Sequence, residues 1–297
     1  MGEPSNSYKV GDLTVTKIEE QMIRGIPPAY LYPAMSADEF AAIAPKLGSE
    51  DLGESRADFN IAVHTWLVQT PKHTILVDTG SGNHKEHPQN PLFHRLDLPY
   101  LQRLADAGVR PEDVDYVFNT HLHVDHVGWN TVLEKDKWIP TFPNARYVMP
   151  SAERDYYSSP ASHNDVNLPS LGTYEDSVLP IVEARLADFV GPQGGRILDH
   201  FTFVPTPGHS IGHMSIQFAS NGAHGIFAGD VMHSPIQVIR PDINSVFCEF
   251  LDQAVDSRRK ILDHVAENNA LYFGTHFAGH SAGTIIRDNG GYSWTSA

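Results

Sequence analysis

One nine-residue segment constrains this chain more than any other. Thr120-His121-Leu122-His123-Val124-Asp125-His126-Val127-Gly128 carries four metal-binding side chains within six residues. It directly follows residues 115–119, an apolar run that reads as a buried strand. Along an extended chain His121 and His123 project to the same side, because side-chain direction alternates with a period of two. If the chain then turns into a helix, Asp125 and His126 sit in its first turn and swing back toward the same point. Four nitrogen and oxygen donors at such a corner suit two divalent ions, each needing about four to five ligands. A run of solvated surface histidines accounts for one such residue, but poorly for H-x-H-x-D-H behind a buried strand.

Four donors do not complete two sites, and three later strand ends offer more. Thr206-Pro207-Gly208-His209-Ser210 follows an apolar run at 201–205, Ala228-Gly229-Asp230 ends one at 226–228, and Gly274-Thr275-His276 follows one at 271–273. Each alone reads as a turn. Their shared placement matters because ligands in open α/β sheets gather at one edge. The chain has seventeen histidines but a single cysteine, Cys248, which excludes an internal disulfide framework and any multi-cysteine zinc site. Cys248 reads as a small buried hydrophobe. With 36 acidic against 21 basic side chains, the net charge of −15 repels phosphodiester backbones, so no nucleic-acid partner is expected.

Strand-like and helical stretches alternate along all 297 residues, without repeats or a flexible linker, and favour a single α/β domain over 1–297. Strands are expected at 13–18, 61–68, 74–77, 115–119, 145–149, 201–205, 214–218, 226–228 and, last, 271–273. Ser36-Ala37-Asp38-Glu39 has the form of a capping box opening a helix that ends near Ala44. Further helices are expected at 99–107, from Pro150-Ser151-Ala152-Glu153, and at 251–267, the clearest amphipathic stretch. Residues 158–176, polar and long for a connection, are either a lid or a plain loop. Met1 to Asn6 lack a basic start and an apolar stretch, Asn6 breaks the myristoylation pattern, and no run reaches about 18 apolar residues. A soluble, cytoplasmic protein without a membrane partner is the expectation.

The ordered set of motifs resembles the metallo-β-lactamase superfamily from about Leu13 to His276. The resemblance implies a four-layer αβ/βα sandwich and a binuclear site, usually zinc, with iron, manganese or cobalt as alternatives. Carried over by motif, His121, His123 and His209 bind one ion, and Asp125, His126 and His276 the other. Asp230 bridges the two. Asp78, in the turn Asp78-Thr79-Gly80, then supports a ligand histidine from behind, unless it merely caps that turn.

Two such ions, about 3.5–4 Å apart, share a hydroxide that is nucleophilic at neutral pH and attacks a carbonyl or phosphoryl centre. Asp125 is then also a relay for the leaving group's proton. Departures from other branches narrow the choice. Lactamases commonly have Cys where this chain has Asp230 and, in several groups, Arg where it has His126. Oxygen reductases replace the second motif histidine, here His123, by Glu. RNA-processing members carry an inserted domain and a basic surface, and glyoxalase II relatives a basic C-terminal segment. The flanks Val127-Gly128-Trp129-Asn130 and Phe142-Pro143-Asn144-Ala145-Arg146-Tyr147 resemble the lactonase and methyl-parathion-hydrolase-like branch, and that resemblance implies a small lactone or ester substrate and a homodimer. Where its lactonases place a Tyr three residues after the bridging Asp, this chain has His233, a candidate hydrogen-bond donor to substrate. The alternatives are a phosphotriesterase or arylesterase, an iron-dependent persulfide dioxygenase, and a non-catalytic metal-binding protein. Trp129 and Phe247 are candidates for an apolar leaving-group pocket, and residues 27–33 for a cover or a subunit contact.

Overall fold

Two mixed sheets are built from short runs whose burial follows their residue pattern. The computed structural model describes residues 7–297, so the reading of Met1 to Asn6 lies outside the described residues. The chain divides into two compact units: one runs through Gln21 and resumes over Val63–Gly195, and the other takes Met22–Ala62 and Arg196–Ala297.

In the first unit and at its margins lie β1 (Ser7–Val10), β2 (Leu13–Ile26), β3 (Phe59–Gln69), β4 (Thr74–Val77), β5 (Tyr116–Phe118), β6 (Thr131–Glu134), β7 (Lys137–Pro140), β8 (Arg146–Pro150) and β9 (Ala187–Val190). They form a sheet in the order β1-β2-β3-β4-β5-β8-β9, with β6 and β7 as a separate hairpin. β3 is buried along all but its last residue, as expected of a strand covered on both faces. β4, β5, β8 and β9 pair in parallel, so the segment after β5 leaves from the same sheet edge as the turn after β4. The core here includes Leu67, Leu76, Tyr100, Leu104, Val117, Trp129, Phe142 and Tyr147.

The second sheet runs in chain order through β10 (Gly195–Ile197), β11 (Phe201–Pro205), β12 (Met214–Ser220), β13 (Ala223–Phe227), β14 (Leu271–Phe273), β15 (Ala282–Asp288) and β16 (Gly291–Ser296). Leu271–Phe273 is therefore not the last strand. A hairpin follows it, turning through Asn289 and Gly290, both at positive φ, the asparagine–glycine chemistry such a turn requires. The helix Leu251–Asn268 buries Ala254, Arg258, Ile261, Leu262 and Val265, one face at helical spacing, and stops at left-handed Asn269. The expected capping box is present. Ser36 Oγ accepts from Glu39 N and the Glu39 carboxylate accepts from Ser36 N, at the head of the helix Ala37–Ile43.

Residues 158–176 contain two 3-10 turns, Pro160–Ser162 and Leu168–Ser170, and lead into a π-turn over Tyr174–Val178. Among the described residues no helix is long and apolar enough to cross a membrane.

Candidate metal centre

In the first unit the chain leaves β5, passes His121 and His123 and enters the short helix Val124–Val127 with Asp125 in its first turn, the corner expected from the sequence. His121 lies with its ring centroid 4.6 Å from that of His123 and 4.0 Å from that of His126. His126 Nε2 is 3.7 Å from Asp125 Oδ1. The turn is held from behind by Asp78, whose carboxylate accepts from Thr120 N at 2.8 Å, Thr120 Oγ1 at 2.8 Å and His126 Nδ1 at 3.0 Å. Asp78 adopts a left-handed φ of 53°, a conformation that Asp tolerates better than most residues.

These contacts fix the imidazole tautomers. His126 Nδ1 faces a carboxylate oxygen, so it carries the proton. The single Thr120 hydroxyl proton goes to Asp78, so Thr120 Oγ1 accepts from His121 Nδ1, 3.0 Å away. In both rings the lone pair is therefore on Nε2, the arrangement that supporting residues impose on metal-binding histidines.

The scaffold around this turn leaves no room for side chains. A Cβ on Gly128 would lie 1.9 Å from the carbonyl carbon of Ser81. Gly128 N donates to Gly80 O, and Trp129 N to Thr79 O. Buried Glu20 closes the other side, accepting from Ser81 N, Gly82 N and, at 2.6 Å, Trp129 Nε1. Burial pushes the Glu20 carboxyl upward while these donors pull it back. Trp129 also stacks on Tyr100 with centroids 5.0 Å apart, so it is a core residue and not a pocket wall. In the sequence nothing marks Glu20 out from its neighbour Glu19.

In the second unit three imidazoles surround one carboxylate oxygen. Asp230 Oδ2 lies 3.0 Å from His276 Nε2, 3.3 Å from His209 Nε2 and 3.4 Å from His233 Nε2, and all four side chains are buried. Nitrogen and oxygen atoms of His209, Asp230 and His233 that could bind a metal ion lie within 4.8 Å of one another. His276 Nδ1 donates to Ala62 O at 2.9 Å, which leaves its Nε2 lone pair facing the carboxylate. Nε2 and the carboxylate oxygen, 3.0 Å apart, are held together by a proton or by a metal ion between them. Ligand atoms on a tetrahedral zinc, each about 2.0–2.2 Å from it, lie roughly 3.3 Å apart. The donors of the second unit thus fit a divalent ion.

His213 holds Asp230 by its backbone. Asp230 N donates to His213 Nε2 at 2.9 Å, so His213 carries its proton on Nδ1 and gives it to Thr206 Oγ1. The hydrogen bonds then run one way, from Thr206 to Ser215 and from Ser215 to Ala228 O. Only its place four residues after His209, in Pro207-Gly208-His209-Ser210-Ile211-Gly212-His213, signals it. Buried Arg258 donates to Val231 O, Pro241 O, Ile243 O and Asn244 Oδ1, bracing the loop after Asp230. Gly208 seats the His209 turn on the Leu251–Asn268 helix, where a Cβ would lie 2.1 Å from Ala254 N.

His233 stacks on His276, rings 12° apart, and lies against Phe247 with centroids 5.7 Å apart. Burial lowers its pKa, opposed by Asp230. Its backbone N–H donates to Gln237 Oε1, and that amide also takes the Tyr32 hydroxyl. Within 27–33, Leu31 and Tyr32 are core, while Tyr30 is exposed and packs edge-on against Phe247. Cys248 is a buried free thiol, pushed upward in pKa by burial.

Solved structures with closely similar folds include a hydrolase, AbOPH, of the beta lactamase superfamily, at TM-score 0.83 and 24% identity over 98% of this chain and 96% of that one. Another is AidC, described as a dizinc quorum-quenching lactonase, at TM-score 0.78 and 24% identity over the same shares. They show the expected fold. Among curated proteins, an N-acyl homoserine lactonase, AttM, of Azorhizobium caulinodans is 28% identical over 54% of this chain and 60% of its own length. The N-acyl homoserine lactonase of Bacillus cereus is 28% identical over 53% and 58%. The chain thus spans about 60% of the length of the curated relatives it matches. The profile described as metallo-beta-lactamase superfamily matches residues 60–276, well over half the sequence, and the chain belongs to that superfamily.

Proposed function

We propose that this chain, read as one domain over 1–297, is a binuclear metal-dependent hydrolase of lactones or related esters. The observation that carries the reading is the set of imidazoles at His121, His126 and His276, each with Nδ1 hydrogen-bonded to an oxygen, and with Nε2 of His126 and His276 facing the carboxylates of Asp125 and Asp230. Lactones are the favoured class because the curated relatives are named N-acyl homoserine lactonases and a structural neighbour is a dizinc lactonase.

In this reading His121, His123 and His209 would hold one ion, Asp125, His126 and His276 would hold the other, and Asp230 would be a ligand common to both. Zinc is the expected metal. When bound, such a pair supplies a nucleophilic hydroxide at neutral pH and polarises the substrate carbonyl. The chain's own residues do the rest. Asp78 and Thr120 orient two of the imidazoles, Asp125 takes the proton that the attacking oxygen gives up as its bond to the carbonyl carbon forms and passes it to the alkoxide oxygen released as the ester C–O bond breaks, and His233 donates a hydrogen bond to the substrate carbonyl oxygen. Phe247, packed on His233, offers apolar surface to the substrate.

The test is a panel of lactones, aryl esters, phosphotriesters and β-lactams, run on metal-analysed protein. About two ions per chain are expected, with the highest kcat/KM on lactones and loss of hydrolysis in Asp230→Asn. Full activity after exhaustive chelation overturns the reading, and a preference for phosphotriesters moves the assignment to that alternative. A cytoplasmic homodimer belongs to the same reading, tested by cell fractionation and light scattering.

A further inference from the structure

Within the first unit, residues 158–176 are fastened by side chains that the proposed chemistry does not use. Lys85 is fully buried. Its ammonium donates to Thr131 Oγ1 at 2.6 Å and Asp176 O at 3.2 Å, lies 3.4 Å from Asp176 Oδ1, and sits 3.8 Å above the Trp138 ring. His87, also buried, places Nε2 3.5 Å from Asp176 Oδ2 and Nδ1 3.3 Å from Leu171 O. Asn90 Nδ2 reaches Pro169 O. A charged pair is not drawn out of water without cost, and here it joins two surface segments that could each have ended in solvent.

The fastened segment adjoins the ligand turn. Val124 N, between His123 and Asp125, donates to Ser170 Oγ at 3.3 Å, and the Tyr157 ring meets His123 edge-on at 5.7 Å. Leu168 and Leu171, on either side of Ser170, are 45% and 43% exposed. An apolar pair is thus held open to solvent beside a metal-ligand turn.

We propose that Lys85, Asp176 and His87 are positioning residues that hold residues 158–176 as a fixed wall beside the His123–Asp125 turn, and that Leu168 and Leu171 on this wall select substrates with an apolar arm. The selectivity half rests on the lactonase reading; the fastening half does not.

The experiment compares the full chain with Lys85→Met, with the double variant Lys85→Met/Asp176→Leu, and with Leu168→Asp/Leu171→Asp. Limited proteolysis, zinc release to a chromogenic chelator, and kinetics on decanoyl- and butanoyl-homoserine lactone are measured. Replacing both members of a buried pair by apolar residues commonly preserves stability, so the double variant separates positioning from folding. It is expected to keep its melting temperature, yet to be cut within 158–176 and to release zinc at least about tenfold faster. The leucine variant is expected to keep the wall uncut and raise KM for the decanoyl substrate about tenfold or more, leaving the butanoyl KM within about twofold. The fastening is overturned if the double variant resists protease and holds zinc like the parent. The selectivity is overturned if the two lactones respond alike to the leucine variant. If the parent hydrolyses neither lactone, the function proposed above fails and takes the selectivity half with it, while proteolysis and zinc release still decide the fastening.

Discussion

Oδ2 of Asp78 sits 3.0 Å from Nδ1 of His126, 48 residues further along the chain, and the same oxygen takes the Thr120 hydroxyl. One carboxylate therefore sets the proton position of His126 directly and that of His121 through Thr120.

Asp78→Asn removes an acceptor that both donors use, and an amide nitrogen turned toward them repels. Metal affinity is expected to fall about 10–100-fold, read by chelator competition, with hydrolysis lost in step. An unchanged affinity shows that Asp78 caps its turn and does no more.

His213→Phe keeps a ring of similar shape but withdraws the acceptor from the Asp230 amide. The change is expected to cost about 1–3 kcal/mol of stability and to weaken zinc retention, although His213 is not a proposed ligand. Thermal melts with and without chelator separate the two effects.

Trp129→Phe tests whether that indole belongs to the core. Losing its bond to buried Glu20 is expected to cost about 1–3 kcal/mol, with KM unchanged on every substrate. A selective rise in KM for aromatic esters would return Trp129 to a pocket wall.

Gly128→Ala places a methyl carbon where the Ser81 carbonyl stands. Such an overlap with backbone cannot be relieved by a rotamer change, and a loss of about 4 kcal/mol or more is expected, seen as little folded protein by circular dichroism.

Asp51 predicts a pH dependence. Burial raises its carboxyl from 3.8 to about 6, against the hydrogen bond from Gly48 N. The folded protein thus keeps this proton to higher pH than the unfolded chain does, and stability falls as pH rises from about 4 through 6. The gap corresponds to roughly 3 kcal/mol. Asp51→Asn is expected to flatten that part of the profile and to be the more stable protein at pH 7.5, by denaturant titration.

Local rules made much of this chain readable. β4, β11 and β14 have the bounds that apolar runs between turn residues imply, and the Ser36–Glu39 box needs only its own four residues. The proposed ligands stand out in the sequence because four donors crowd into 121–126 and because His209, Asp230 and His276 each follow an apolar run close to a glycine. Glu20, His213 and Arg258 do not, because what distinguishes them is a partner brought close by the fold: Ser81 for Glu20 is 61 residues away, Val231 for Arg258 is 27. The β15–β16 hairpin is a different case. Its Asn289-Gly290 turn signal stands in the sequence, after the short run at 271–273. Trp129 was placed by its nearness to the motif, whereas burial and the Glu20 carboxylate decide where an indole goes.

The contact of Gly128 with Ser81 also bears on the order of assembly. Backbone meets backbone there with no side chain between, so the turn after β4 has no finished shape until a stretch more than forty residues later arrives against it. Closing that loop carries an entropic cost that grows with its length, and the turn at 120–128 is finished by the same contact. A nascent chain that has made only β1 to β4 therefore holds the Asp78 carboxylate before the imidazole it is to orient exists.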